Sequence, residues 1–401
     1  MIDPAAALAL LAEEGWRTLV EAGLSLDEAG GDEAGAPERL ARRLPGAPPE
    51  SRAAAMELVA QGARLARKLG VGERLLAVRE AVDRAPWGRV ATWHAQQVPA
   101  GSRVLEMGCG CGGDSLALAH RAANLIATDA DPVRAACTHV NLTTTGLATS
   151  RAIPGDGRET LAGEASRAGI VFVDPVPYET GGRSLPPGSW RPSLPHLEEI
   201  ARGGRRVFVR AEPSLAADAV AGAFRVAYVS HGGGCVEAFL DSALGDGPAV
   251  RAVLLPDDGP SAELSGDRGE APSGRVGEAV HVVDPSAVRA GLLAELCRRH
   301  GLRRTDPKSD LLTGPPVAAS AWVKTFLVLR VLPLRTQDVL AELRRLRPSG
   351  LRIHGYGATP SGDAMETSWA YTVDPGSAGP ALVAFATRVL GAPSAILAVA
   401  A

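Results

Sequence analysis

Apolar residues along the chain fall into short runs that end in glycine or a carboxylate, separated by stretches with helical spacing. Val104-Leu105, Leu125-Ile-Ala-Thr128, Ile170-Val-Phe-Val173 and Arg206-Val-Phe-Val209 predict buried strands, because an apolar run bounded by turn residues suits a sheet covered on both faces. Asp114-Ser-Leu-Ala-Leu-Ala119 and Val133 to Leu142 predict the helices between them, the second capped by Asp131-Pro132. Val226-Ala-Tyr-Val229 and Ala249 to Leu255 predict further strands, and Gly232-Gly-Gly234 between them gives the sheet a hairpin-like end. The fold class is therefore α/β, with a Rossmann-like sheet over residues 99–256.

The flanks carry other patterns. Residues 1–98 predict a helical region: Asp3-Pro4 caps a helix through Val20, Asp32 to Pro49 reads as a loop, and helices resume from Glu50. Its expected role is a lid or packing layer, with substrate contact as the alternative. Residues 257–275 lack apolar periodicity and read as a linker. Residues 276–401 predict a small α/β domain. Asp284-Pro285 opens a helix with Val288, Leu292, Leu293 and Leu296 on one face, closed by His300-Gly301. Trp322 to Leu332 follows as a buried strand. A helix from Thr336 to Arg347 turns Val339, Leu340, Leu343 and Leu346 inward and Arg344, Arg345 and Arg347 outward.

The chemistry concentrates at Val104-Leu-Glu-Met-Gly-Cys-Gly-Cys-Gly-Gly-Asp114. Glycines at 108, 110 and 112 let the backbone turn tightly against a ligand at a helix N-terminus. Gly108, Gly110 and Gly113 also satisfy the dinucleotide fingerprint, so a dehydrogenase competes with a methyltransferase. Glu106 favours the methyltransferase: its carboxylate suits the ammonium of S-adenosylmethionine and would repel a pyrophosphate. Asp129 ends the second strand, 21 residues after Gly108, where an acid accepts hydrogen bonds from ribose hydroxyls in either family. Asp156 ends a third strand, where an adenine amino group is expected, although Asp156-Gly157 is equally an ordinary turn. Asp174 ends the fourth strand, before Pro175-Val-Pro-Tyr178, and is the candidate to orient an acceptor or take its proton. Tyr178 is the candidate to stack on a planar acceptor. Gly182-Arg183 to Trp190 reads as an active-site lid.

These pieces resemble, over residues 76–401, the bacterial class I S-adenosylmethionine-dependent methyltransferases with a C-terminal THUMP-like domain. The matching segments are Val90-Ala-Thr-Trp-His94, the glycine motif, Ala127-Thr-Asp-Ala-Asp-Pro132, Val173-Asp-Pro175 with Gly181-Gly-Arg183, Val288-Arg-Ala-Gly-Leu292 and Ala321-Trp322. The resemblance implies Glu106, Gly108, Gly110, Asp129 and Asp156 around the cofactor and Asp174 and Pro175 facing the acceptor. It also implies an RNA substrate, since THUMP domains as a class bind RNA. Val176-Pro-Tyr178 departs from the family and is similar to the Asp-Pro-Pro-Tyr of amino-group methyltransferases with one residue added. A small-molecule or protein amine is therefore the alternative acceptor, and a cofactor-binding protein without turnover is the alternative outside enzymes.

Charge bears on the RNA expectation. The chain is formally -3, while residues 276–401 hold 14 Lys/Arg against 10 Asp/Glu, a local +4. Arg344, Arg345 and Arg347 are the candidate phosphate contacts there. Five cysteines, none in a secreted framework, and a start at Met1-Ile-Asp-Pro without a basic region predict a cytoplasmic protein. No stretch reaches membrane-spanning length. Cys109-Gly-Cys111 lacks zinc spacing and reads as small-residue filler between glycines, so no metal is expected. His94 is the histidine placed to line the site.

Overall fold

The computed structural model describes residues 2–12, 15–28, 42, 44–147, 149–177, 187–243, 247–356, 369 and 376–401. The chain divides into two compact units, one of Met1–Arg225 with Phe239–Gly245 and one of Val226–Ala238 with Asp246–Ala401.

In the first unit, α1 (Pro4–Leu11), α2 (Gly15–Glu28), α3 (Pro49–Leu69), α4 (Arg79–Arg84) and α5 (Gly88–Gln97) precede the sheet. Asp3 caps α1 by accepting a hydrogen bond from the Ala6 amide. The helix expected to reach Val20 stops earlier, because Ala12 is extended (ψ 141°). A side chain on Gly15 would sit 2.5 Å from the Leu10 carbonyl oxygen, so only glycine allows α2 to start there.

The strands β1 (Arg103–Met107), β2 (Asn124–Asp129), β3 (Arg151–Pro154) and β4 (Ile170–Val173) are followed by β5 (Val176–Pro177), β6 (Trp190–Arg191) and β7 (Arg206–Ala211). The order β3-β2-β1-β4-β7 is parallel throughout, while β5 and β6 form a separate antiparallel pair. Helices α6 (Ser115–Arg121), α7 (Pro132–Thr144), α8 (Gly157–Ala162) and α9 (Leu194–Arg202) make the crossovers. Val104, Leu105, Val171, Phe172, Val207 and Phe208 are buried, as strands covered on both faces require. The chain leaves β1 toward β2 and later returns to place β4 on the other flank of β1. That reversal opens a crevice at the carboxyl ends of β1 and β4.

The second unit holds β8 (Arg225–His231), β9 (Gly234–Asp241, whose end belongs to the first unit), β10 (Val250–Leu255) and β11 (Ala262–Leu264). The hairpin expected between the strands at 226–229 and 249–255 is instead made by β8 and β9, joined through Gly232 (φ 58°) and Gly233 (φ 81°). β10 runs parallel to β8, so the expected pairing is corrected: Cys235 to Asp241 is a strand hidden behind three glycines. Within the segment read as a linker, Ala262–Leu264 pairs antiparallel with β10 and Leu264 is buried.

A second sheet follows from β12 (Ala279–Val283), β13 (Arg303–Arg304), β14 (Leu312–Gly314), β15 (Val323–Pro333), β16 (Gly350–Gly355), β17 (Ala381–Val389) and β18 (Ala392–Ala400), in the order β13-β14-β12-β15-β18-β17-β16. The helix expected from Asp284 to His300 is two, α10 (Pro285–Arg289) and α11 (Leu293–His300), broken at Gly291 (φ 72°). Helix α12 (Thr336–Leu346) packs Val339 and Leu343 against Trp369, Leu382, Ala384, Ala395 and Leu397. Among the described residues no helix is long and apolar enough to cross a membrane.

Candidate active site

The glycine turn after β1 is held by backbone geometry. Gly108, Gly110 and Gly112 have φ of 85°, 55° and 93°, a region that side chains disfavour. At Gly108 the need is also spatial, since a Cβ there would lie 2.4 Å from the Asp174 carbonyl oxygen. The turn is tied to β2 by amide hydrogen bonds from Gly108 (2.8 Å) and Cys109 (2.9 Å) to the Thr128 carbonyl oxygen. Thr138 donates to the Gly110 carbonyl oxygen at 2.8 Å, and Asn141 donates to those of Cys111 and Leu76, both at 2.9 Å. Helix α7 thus fixes the loop from behind.

Three carboxylates stand at the ends of adjacent parallel strands. Glu106 is buried and accepts from the Ser115 hydroxyl at 2.6 Å. Burial, followed by the charge of Asp114, pushes its pKa up to about 8. Asp129 is also buried; it accepts from the amides of Gly110 and Asp131, each at 2.9 Å. Burial raises its pKa and those two amides oppose the rise. Asp156 caps α8 by accepting from the Arg158 amide, and it pairs with the Arg158 guanidinium, which lowers its pKa. Its carboxylate therefore already has a local structural use.

Asp174 follows β4 and is partly exposed. Its Oδ2 accepts from Arg210 Nη1 at 2.9 Å, and the same nitrogen lies 3.0 Å from Asp114 Oδ2. Asp114 is buried; its Oδ1 is 2.7 Å from His94 Nδ1. Burial alone would raise the Asp114 pKa, but Arg210 and His94 outweigh it and hold the carboxyl below the ordinary range. The fully buried His94 ring stacks on Phe239 (centroids 4.9 Å apart, planes at 12°) and packs against Phe172 and Trp93. His94 thus anchors the far end of a chain running His94, Asp114, Arg210, Asp174.

The structure brings Gly108 and Asp174 into contact, with Glu106 and Asp129 on neighbouring strand ends. Pro175 is buried directly after Asp174. Tyr178, Gly181-Gly-Arg183 and most of the expected lid lie outside the described residues; the lid's last residue, Trp190, is buried in β6. Sequence reasoning missed Arg210 and gave Asp114 only a helix-start role. Asp114 makes no side-chain capping bond and spends its carboxylate on the ion pair instead. The charge that ends the apolar run Val207-Phe-Val209 near the strand's carboxyl end was the available signal. In the second unit, Arg345 pairs with Glu342, which also binds Arg330.

A positive-φ turn over a helix N-terminus, with carboxylates at the β1 to β3 ends and the Arg158 guanidinium paired to the last of them, would suit a ligand rich in donors: an ammonium, ribose hydroxyls, an amino-substituted base. S-adenosylmethionine fits that donor set. Over 296 residues the chain is 30% identical to an uncharacterized S-adenosylmethionine-dependent methyltransferase of Mycobacterium tuberculosis, found in strains CDC 1551 and H37Rv; the alignment covers 70% of this chain and 77% of that protein. The chain belongs to the S-adenosylmethionine-dependent methyltransferases. No family model matches it. It shares its fold with a solved structure from Porphyromonas gingivalis W83 described as a methyltransferase, at a TM-score of 0.75 and 19% identity, over 96% of this chain and 98% of that one.

Proposed function

We propose that this methyltransferase acts on a base of RNA, with Asp174 on the acceptor side and Glu106, Gly108, Gly110, Gly112 and Asp129 on the cofactor side. The observation that carries this reading is the contact between Gly108 and Asp174: the turn that would cradle the cofactor presses on the backbone of the residue that would receive the acceptor. Bound S-adenosylmethionine would supply an activated methyl group on a sulfonium, so the protein's task is alignment and proton handling.

Asp129 would accept the ribose hydroxyls, and Glu106 would face the methionyl ammonium. Asp174 would accept a hydrogen bond from an acceptor N–H and take its proton as the new bond forms. Pro175 fixes the backbone leaving that carboxylate, and Tyr178 would stack on the acceptor base. Asp156 would reach an adenine amino group only by sharing its oxygens with Arg158. The division into a helical region (1–98), a catalytic sheet domain (99–256), a connecting segment (257–275) and a THUMP-like domain (276–401) belongs to the same reading, as does a cytoplasmic site of action.

RNA is favoured over a small amine by the family resemblance and by the excess of basic residues after 276. Mass spectrometry of nucleosides from a deletion strain tests it. A methylated nucleoside that disappears and returns on complementation supports the reading, and an unchanged profile transfers it to a small-molecule or protein amine.

A further inference from the structure

Among the described residues, Trp87 is the aromatic side chain left largely exposed, at 49%. Leaving half an indole in water forgoes burial that a folded chain ordinarily takes. The backbone on either side holds it there. Pro86 is buried against the cofactor turn, where a Cβ on Gly113 would lie 2.8 Å from the Pro86 ring. Gly88 is pressed on α3, where a Cβ would lie 1.9 Å from the Leu69 carbonyl oxygen. Trp87 therefore stands on a segment fixed at both neighbours, presented rather than loosely tethered.

Cations lie near it, with the Asp83 carboxylate among them and paired to Arg64. The Lys68 ammonium sits 5.5 Å from the indole centroid and donates to the carbonyl oxygens of Val82 (2.9 Å) and Asp83 (3.3 Å). Burial and then the nearby charge of Arg210 lower the Lys68 pKa, against the opposing charge of Asp83. Arg84 and Arg89 are exposed on either side of Trp87 in sequence. The Arg84 carbonyl oxygen lies 3.5 Å from Arg210 Nη2, and Arg210 holds Asp174 through its other terminal nitrogen.

We propose that Trp87, with Lys68 beside its ring and the exposed Arg84 and Arg89 three residues before and two after it, is a stacking platform for single-stranded RNA, receiving a base that neighbours the one presented to Asp174. A presented aromatic face among cations recognises a base and its phosphates, whereas the same cations repel a small amine. The platform assigns substrate contact to the N-terminal helical region. It rests on the RNA reading for the identity of the acceptor, and its binding test does not depend on turnover.

The experiment is a fluorescence anisotropy titration of the full chain with a short labelled single-stranded oligoribonucleotide of mixed sequence, at several salt concentrations. Trp87→Ala is expected to weaken binding about tenfold or more, and Trp87→Phe to restore most of it. Arg84→Gln and Arg89→Gln should each lower the salt slope by about 0.7, with S-adenosylmethionine affinity unchanged by calorimetry. Equal binding by Trp87→Ala and the parent, or no binding by the parent, overturns the platform. Should Trp87→Ala also unfold, the two exposed arginines decide, and an unchanged slope overturns it. RNA held through Trp87 while the deletion strain's nucleosides stay unchanged would leave the platform standing and remove RNA methylation.

Discussion

The proposed cofactor side and the proposed acceptor side of the site meet at Gly108 and Asp174, yet they are built by different means. The cofactor side is short-range: one turn with three positive φ angles and strand-end acids, tied together across two adjacent βα units by the Thr128 carbonyl oxygen and the Asp129 carboxylate. The acceptor side is assembled from a distance, with His94 from α5, Asp114 from the helix after β1 and Arg210 from β7 converging on one carboxylate. A local device can be tuned one residue at a time. A distributed one shares its single cation between two carboxylates, so removing any member disturbs the rest.

The largest effect expected is from Gly108→Ala, which combines a positive φ with a contact at 2.4 Å and damages both sides at once. Loss of about 3 kcal/mol or more of stability, together with loss of cofactor binding in calorimetry, would follow from clash and strain together. Retention of either function would show that the two sides are less tightly joined than the structure indicates.

Next in size is Arg210→Gln. It leaves the buried Asp114 facing His94 alone and should cost about 3 kcal/mol in a denaturant titration. Adding Asp114→Asn should recover part of that loss. Additive losses in the double variant would mean that the two residues do not act as a pair.

Asp129→Ala confines the damage to the cofactor side. Affinity for S-adenosylmethionine should fall by about 1 to 3 kcal/mol while the rate at saturating cofactor changes little. An unchanged affinity would remove Asp129 from the site.

The smallest effect, counted per pH unit, is on pH dependence. Glu106 is held near 8 in the fold, above its ordinary value, so the folded protein binds a proton that the unfolded chain has released. Its contribution is complete below the ordinary carboxylate pKa and is lost as pH rises through about 8, at no more than about 1.4 kcal/mol per pH unit. Glu106→Gln keeps the hydrogen bond to Ser115 and should flatten thermal stability between pH 5 and 8, to be read by calorimetric scans; an identical slope would mean that Glu106 stays ionised in the fold.

The same contrast explains what the sequence made legible. Glycines two apart after an apolar strand, and acids at strand ends, are local signals, and β1, β2, β4 and their acids stand where the pattern put them. The strand Gly234–Asp241 was hidden because Gly232-Gly-Gly234 reads as loop, although two of those glycines make a tight hairpin. The helix after Asp284 was read as continuous because its apolar spacing carries across Gly291, whose positive φ breaks it. The ion-pair chain from His94 to Asp174 joins residues up to 96 positions apart, and no spacing rule connects them. Asp114 was given only a helix start for the same reason: the partners of its carboxylate are distant.

The central claim is that Asp174 serves the acceptor and not the cofactor. Asp174→Asn keeps the size and removes the charge, and its two consequences are measured on one preparation: S-adenosylmethionine affinity by calorimetry, and methyl transfer from labelled cofactor to RNA extracted from the deletion strain. The account predicts an affinity within about twofold of the parent and a transfer rate lower by about a hundredfold or more. Transfer at the parent rate, or loss of the cofactor along with transfer, would contradict it.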